Sequence, residues 1–147
     1  MIVILSACVL TICYFDFRWM IIPNWLNLAV AASGILFQYQ AGAQDLLFVL
    51  IFGGAVFCFF FLVRFMHTRL RGFVGLGLGD VKMFGAAAIW VSPVLFPLFL
   101  LLASSTALLF VLIAHLTKLT SRTRLAFGPF IGVSLVITVL VERQFPL

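Results

Sequence analysis

Two stretches of this chain, 46–63 and 94–116, run without a single lysine, arginine, aspartate or glutamate. Each is about as long as the 20 or so apolar residues a helix needs to cross a bilayer core. Of the 147 residues, 65% are hydrophobic and 9% are charged. A soluble domain carries about 25% charged residues, and one of this size has too much surface to do without them. The solvent for this chain is lipid. There every backbone N–H and C=O must find a partner within the protein, which leaves helices or a closed barrel. Barrel strands alternate apolar and polar residues, whereas these runs are continuous. The fold class is therefore all-α: a polytopic bundle of about six transmembrane helices, forming one membrane domain over 1–147.

The segments fall at about 2–15, with room to continue past Asp16; 25–39; 46–65; a fourth opening near Asp80 and closing before Pro93; 94–116; and 125–141. The second and fourth are short for a full crossing. The start has no basic region and no small-residue cleavage site, so the first segment reads as a retained helix. Cys8, Cys13 and Cys58 lie in apolar stretches without C-x-x-C spacing, which points to buried packing rather than zinc or disulfides. Asp45 suits an N-cap for the third helix, and Trp19, Trp25 and Trp90 lie near helix ends, where indoles favour the membrane interface.

Lysine and arginine concentrate in cytoplasmic loops. Arg18 follows the first segment; Arg64, Arg69, Arg71 and Lys82 bracket the third and fourth; Lys118, Arg122 and Arg124 separate the fifth and sixth. Only Arg143 of the nine basic residues falls outside these alternate loops. Both termini are thus expected outside and three basic loops inside. The net charge of +5 serves topology and contact with anionic lipid, and no nucleic-acid surface is indicated.

Against this background the four acidic residues stand out. Asp45 and Glu142 fall at outer helix ends. Asp16 and Asp80 share the basic side, where a carboxylate at membrane depth is costly and marks a functional site. Singly, each has a plain structural reading: Asp16 as an interface residue beside Arg18, Asp80 as a helix cap favoured by the macrodipole. The glycines beside Asp80 add to the functional one. Gly77 and Gly79 clear side chains from the approach to it and permit positive φ. The run Gly85-Ala86-Ala87-Ala88 allows close helix packing. No strand precedes the glycines and G-x-G-x-x-G spacing fails, so no dinucleotide site is indicated. His67 and His115 are isolated, so no metal site is expected.

Three ordered motifs carry a resemblance. Residues 16–24, Asp-Phe-Arg-Trp-Met-Ile-Ile-Pro-Asn, are similar to the D-x-R-x-x-x-I-P-N signature of type IV prepilin peptidases. Residues 77–82, Gly-Leu-Gly-Asp-Val-Lys, resemble their G-x-G-D-x-K signature, and 127–130, Phe-Gly-Pro-Phe, resemble an element of their last helix. The resemblance implies a GxGD-type membrane aspartyl protease without a cofactor, with Asp16 and Asp80 catalytic. It implies supporting roles for Arg18, Pro23, Asn24, Gly77, Gly79, Lys82, Gly128 and Pro129. It further implies a prepilin or pseudopilin substrate, whose short basic leader is removed at the cytoplasmic face of the bacterial inner membrane, just ahead of a hydrophobic helix. Larger members carry an inserted domain with paired C-x-x-C motifs, associated with N-methylation; this chain resembles the short, peptidase-only form found with tight-adherence (Flp-type) pili.

In such a site one carboxylate would take a proton from water and the other would donate one to the scissile carbonyl. Arg18 and Lys82 lie two residues from an aspartate, a spacing that on a helix faces away from it, so head groups or substrate are their expected partners. Pro23 is expected in or just before the first turn of the second helix, and Gly128-Pro129 is expected to loosen or kink the sixth. Two other classes fit the carboxylate pair: a presenilin-like protease cutting within transmembrane helices, against which Pro23-Asn24 argues, and a small transporter or scaffold subunit using the acids as a proton relay.

Overall fold

The computed structural model describes residues 1–42, 45–73, 75–117 and 126–144. They form six helices and, among the described residues, no strand: α1 Ile2–Trp19, α2 Asn24–Gln40, α3 Leu46–Arg71, α4 Leu78–Trp90, α5 Phe96–Leu116 and α6 Gly128–Gln144. Three of these, α1, α3 and α5, are long and apolar enough to cross a membrane. The protein is an all-α membrane protein.

The helix ends follow local chemistry. α3 outruns its apolar stretch by nearly two turns. Its last turn carries Arg69 and Arg71, and Gly72 closes it in the left-handed region at φ 71°, its N–H donating to Thr68 O at 3.0 Å. Basic residues there complement the negative end of the helix dipole, and glycine takes the cap conformation without a Cβ penalty. Asp45 occupies the N-cap position of α3, but its side chain makes no capping hydrogen bond. The basic residues Lys118, Arg122 and Arg124 lie outside the described residues.

α4 is the axis of the bundle. Every residue from Met83 to Trp90 is buried, and the helix packs against α2, α3 and α6. Sheathed by protein, it has no need of a full span: backbone at membrane depth is tolerated wherever neighbouring chain covers it. The small residues make this possible. A Cβ on Gly85 would stand 2.9 Å from Phe57 Cβ and 3.3 Å from Gly53 O, and one on Gly53 would stand 3.2 Å from Gly85 O. The α3 and α4 backbones therefore meet at paired glycines, as small-residue crossings in membranes do. Phe60, about two turns along α3 from Gly53, stacks on Phe84 with ring centroids 4.4 Å apart.

Three expectations are corrected here. Trp90 is not an interface anchor. It is 1% exposed, stacked on Phe37 at 5.0 Å, with its indole N–H donating to Val30 O at 2.8 Å. The end of a short central helix lies inside the bundle, so proximity to a helix end does not imply an interface. Trp19 and Trp25 are exposed as expected. Cys58 is exposed on α3 rather than buried, while Cys8 and Cys13 are half-buried; in lipid an apolar residue gains little by facing inward. Gly128-Pro129 does not kink α6, because α6 starts at Gly128. Proline there falls in the first turn, where its missing N–H costs nothing and its fixed φ suits the helix.

Candidate functional site

The site lies at the end of the bundle where α1 finishes and α2, α4 and α6 begin. Asp16 sits in the last turns of α1 and is 5% exposed. Its Oδ2 accepts a hydrogen bond from the backbone N–H of Gly128 at 2.8 Å. Gly128 opens α6, so the positive end of a helix dipole faces the carboxylate. A side chain at 128 is excluded by the same approach: a Cβ would stand 2.8 Å from Asp16 Oδ2 and 3.1 Å from Ile22 Cδ1.

The chain then turns sharply. Met20 caps α1 in the left-handed region at φ 52°, its N–H donating to Asp16 O at 2.9 Å. A non-glycine residue seldom holds that conformation, and here it sends the next residues straight back over the site. Ile22 becomes buried, and Pro23 takes the N-cap of α2 at φ −60°, ψ 139°, as its ring prefers.

Asp80 arrives from the other side. α4 begins at Leu78 with Gly77 as N-cap, so Asp80 is third in the first turn rather than the cap itself. Its carboxylate folds back towards Gly77, where a Cβ would stand 2.8 Å from Asp80 Oδ2. Gly77 needs no positive φ, being at −64°; its use is close approach. Gly79 has the same use, since a Cβ there would lie 3.0 Å from Ile22 Cβ. Ile22 thus packs against both Gly79 and Gly128, tying the three motif segments to one spot. Asp80 follows Gly79 directly and Asp16 holds the Gly128 N–H, and Ile22 lies against both glycines, so the two acids stand at the same end of the bundle.

The segment ahead of α4 is held from α3. The Arg64 guanidinium donates to Leu76 O, and the His67 ring lies under Gly75, edge-on to Phe73. In the sequence, Arg64 reads only as a topology charge. Of the supporting residues, Lys82 Nζ donates to Asn24 Oδ1 at 2.7 Å, joining α4 to α2, and Arg18 lies over the Trp19 ring at 5.7 Å. Pro129 is buried behind Gly128. Asn27 escaped the sequence reading. It is 5% exposed, and its Nδ2 donates to Gly79 O at 3.4 Å. The available signal was a second amide one turn beyond Asn24 in the otherwise apolar first half of the helix.

The geometry gathers two acids from distant parts of the chain at one end of a membrane bundle, Asp16 held by a backbone N–H and Asp80 folded against Gly77. Residues 3–112 match the family model described as the type IV leader peptidase family. The chain belongs to that family. It is 30% identical over 128 residues to the prepilin leader peptidase/N-methyltransferase of Escherichia coli K12, covering 84% of this chain and 55% of that protein. It is 27% identical over 145 residues to the type 4 prepilin-like proteins leader peptide-processing enzyme of an enterotoxigenic E. coli strain, O78:H11, covering 98% of this chain and 52% of that one. The leader peptidase/N-methyltransferase of Neisseria gonorrhoeae is 24% identical over 131 residues. The chain spans about half the length of these curated relatives. No solved structure matches it. The family match ends before Phe127-Gly128-Pro129-Phe130, so the link between Gly128 and Asp16 is a finding of the tertiary structure.

Proposed function

We propose that this protein is an aspartic endopeptidase that removes the short leader from prepilins or pseudopilins, with Asp16 and Asp80 as its catalytic residues. The observation that carries the reading is the placing of Asp16 and Asp80 around Ile22 at one end of the bundle, in a chain of the leader peptidase family. A water between the two carboxyl groups gives up a proton to the ionised one and attacks the scissile carbonyl. The protonated one donates to the carbonyl oxygen; as the tetrahedral intermediate collapses it takes that proton back, and the other, which now holds the proton from water, gives it to the departing amine. The Gly128 N–H holds the Asp16 carboxylate in place. We place the whole of 1–147 in one membrane domain of the bacterial inner membrane, with the site end facing the cytoplasm. Arg18, Arg64, Arg69, Arg71 and Lys82 all lie at that end, as basic residues on the inner side do.

The test is cleavage of a purified prepilin by the protein in detergent or vesicles. The wild type yields the mature pilin. Asp16→Asn and Asp80→Asn, each accumulating in the membrane at wild-type level, lose about 10²–10⁴-fold in rate, the usual worth of a general acid or base. Full processing by both variants overturns the assignment.

A further inference from the structure

α2 and α3 scarcely touch one another; α4 lies between them, and above it a groove opens along the side of the bundle. Its cavity is about 520 Å³. One end is polar, formed by Asn24, Asn27 and Lys82; the rest is apolar and narrow-walled, with Ala31, Gly85 and Ile89 along it. Lys82 is two residues from Asp80, and Asn27 holds Gly79 O, so the polar end adjoins the carboxylate site. From Lys82 to Ile89 the groove follows α4 for about 10 Å at the helical rise.

Among the described residues, buried Asn27 Oδ1 has no hydrogen-bond partner. The amide orientation is fixed by its neighbour: turning it over would set oxygen against the Gly79 carbonyl. A buried acceptor left unpaired costs free energy, so the structure offers a site for a donor. Beside it Lys82 offers donors. An acceptor and donors side by side, leading into an apolar channel, complement a polypeptide main chain that continues as an apolar segment.

We infer that the groove between α2 and α3, floored by α4, receives the apolar segment of the polypeptide substrate beyond the scissile bond, with Asn27 accepting a main-chain N–H and Lys82 donating to a carbonyl or carboxylate near the groove mouth. This rests on the peptidase reading and adds where the substrate lies. The small side chain of Ala31 lets a second helix approach closely, and exposed Leu28 forms the rim.

The experiment compares two substrates in vesicles: a prepilin with its apolar segment, and the same leader and junction truncated before it. For Leu28→Trp, which fills the groove from its rim, the ratio of kcat/KM between long and truncated substrate falls at least tenfold, through KM of the long one. The control Leu108→Trp, on exposed α5, leaves the ratio unchanged. In a variant with its native cysteines replaced by serine and Asp80→Asn to block turnover, Leu28→Cys forms a disulfide with a cysteine placed in the apolar segment and Leu108→Cys does not. An unchanged ratio for Leu28→Trp, or equal cross-linking at both positions, overturns the groove assignment. So does an anionic lipid retained in native mass spectrometry and lost in Leu28→Trp while the ratio holds. If the wild type cuts neither substrate, the peptidase reading itself falls; if it cuts both and the ratio holds, only the groove does.

Discussion

A single missing side chain decides whether Asp16 can sit where it does. Gly128 brings its N–H to 2.8 Å from Asp16 Oδ2, and any Cβ would land at the same 2.8 Å from that oxygen. Gly128→Ala is therefore expected to push α6 off α1, costing about 1–3 kcal/mol as overpacking does, and to reduce leader cleavage more than it reduces membrane level. Thermal unfolding in detergent and a cleavage assay on the same preparation check both parts. Met20 is the opposite case. It holds φ 52° with 40% of its surface exposed, and a left-handed conformation costs a non-glycine residue about 1–2 kcal/mol. Met20→Gly should raise the unfolding midpoint while cleavage is retained; a fall in stability would show that Met20 contributes contacts worth more than the strain.

Among the elements, α4 sets the geometry, because α2, α3 and α6 all pack on it. Its crossing with α3 depends on Gly53 and Gly85. Gly85→Leu is expected to separate these helices and lower the protein in the membrane, since the contact at 3.3 Å is with backbone that cannot rotate away. Its far end is secured by Trp90, buried with its N–H on Val30 O. Trp90→Phe keeps most of the ring stacking on Phe37 and removes that bond, for an expected loss of about 0.5–1.5 kcal/mol, read as a small drop in unfolding midpoint with cleavage intact. At the same end, Glu142 accepts from Ser92 N at 3.2 Å, joining α6 to the turn before α5. These contacts lie away from the carboxylates, so they bear on stability rather than chemistry.

At the scale of the whole molecule, the charges sort the two ends. Arg18, Arg69, Arg71 and Lys82 accompany the carboxylates, while Asp45, Glu142 and Arg143 lie at the other end. Cysteines introduced at Arg71 and at Gln40, both exposed, should label from opposite sides of the membrane, Arg71→Cys only when the reagent reaches the cytoplasm. Labelling of both from one side would overturn the topology.

The primary structure by itself determined the solvent, the helical class, the six segments and the two acids. These follow from local facts: uninterrupted apolar runs admit only structures that pair their own backbone, and rare acids among them are costly enough to mark a site. Helix ends shifted by a few residues, because caps such as Gly72 and Gly77 act through conformation rather than hydropathy. Only the tertiary structure decided which polar groups meet. Gly128 donating to Asp16 links residues at opposite ends of the chain, Trp90 became core because α4 is sheathed on several sides, and Asn27 was left with an unpaired oxygen over a groove. Each depends on how helices approach one another in space, and apolar side chains that are equally content against lipid or protein carry no mark of that choice.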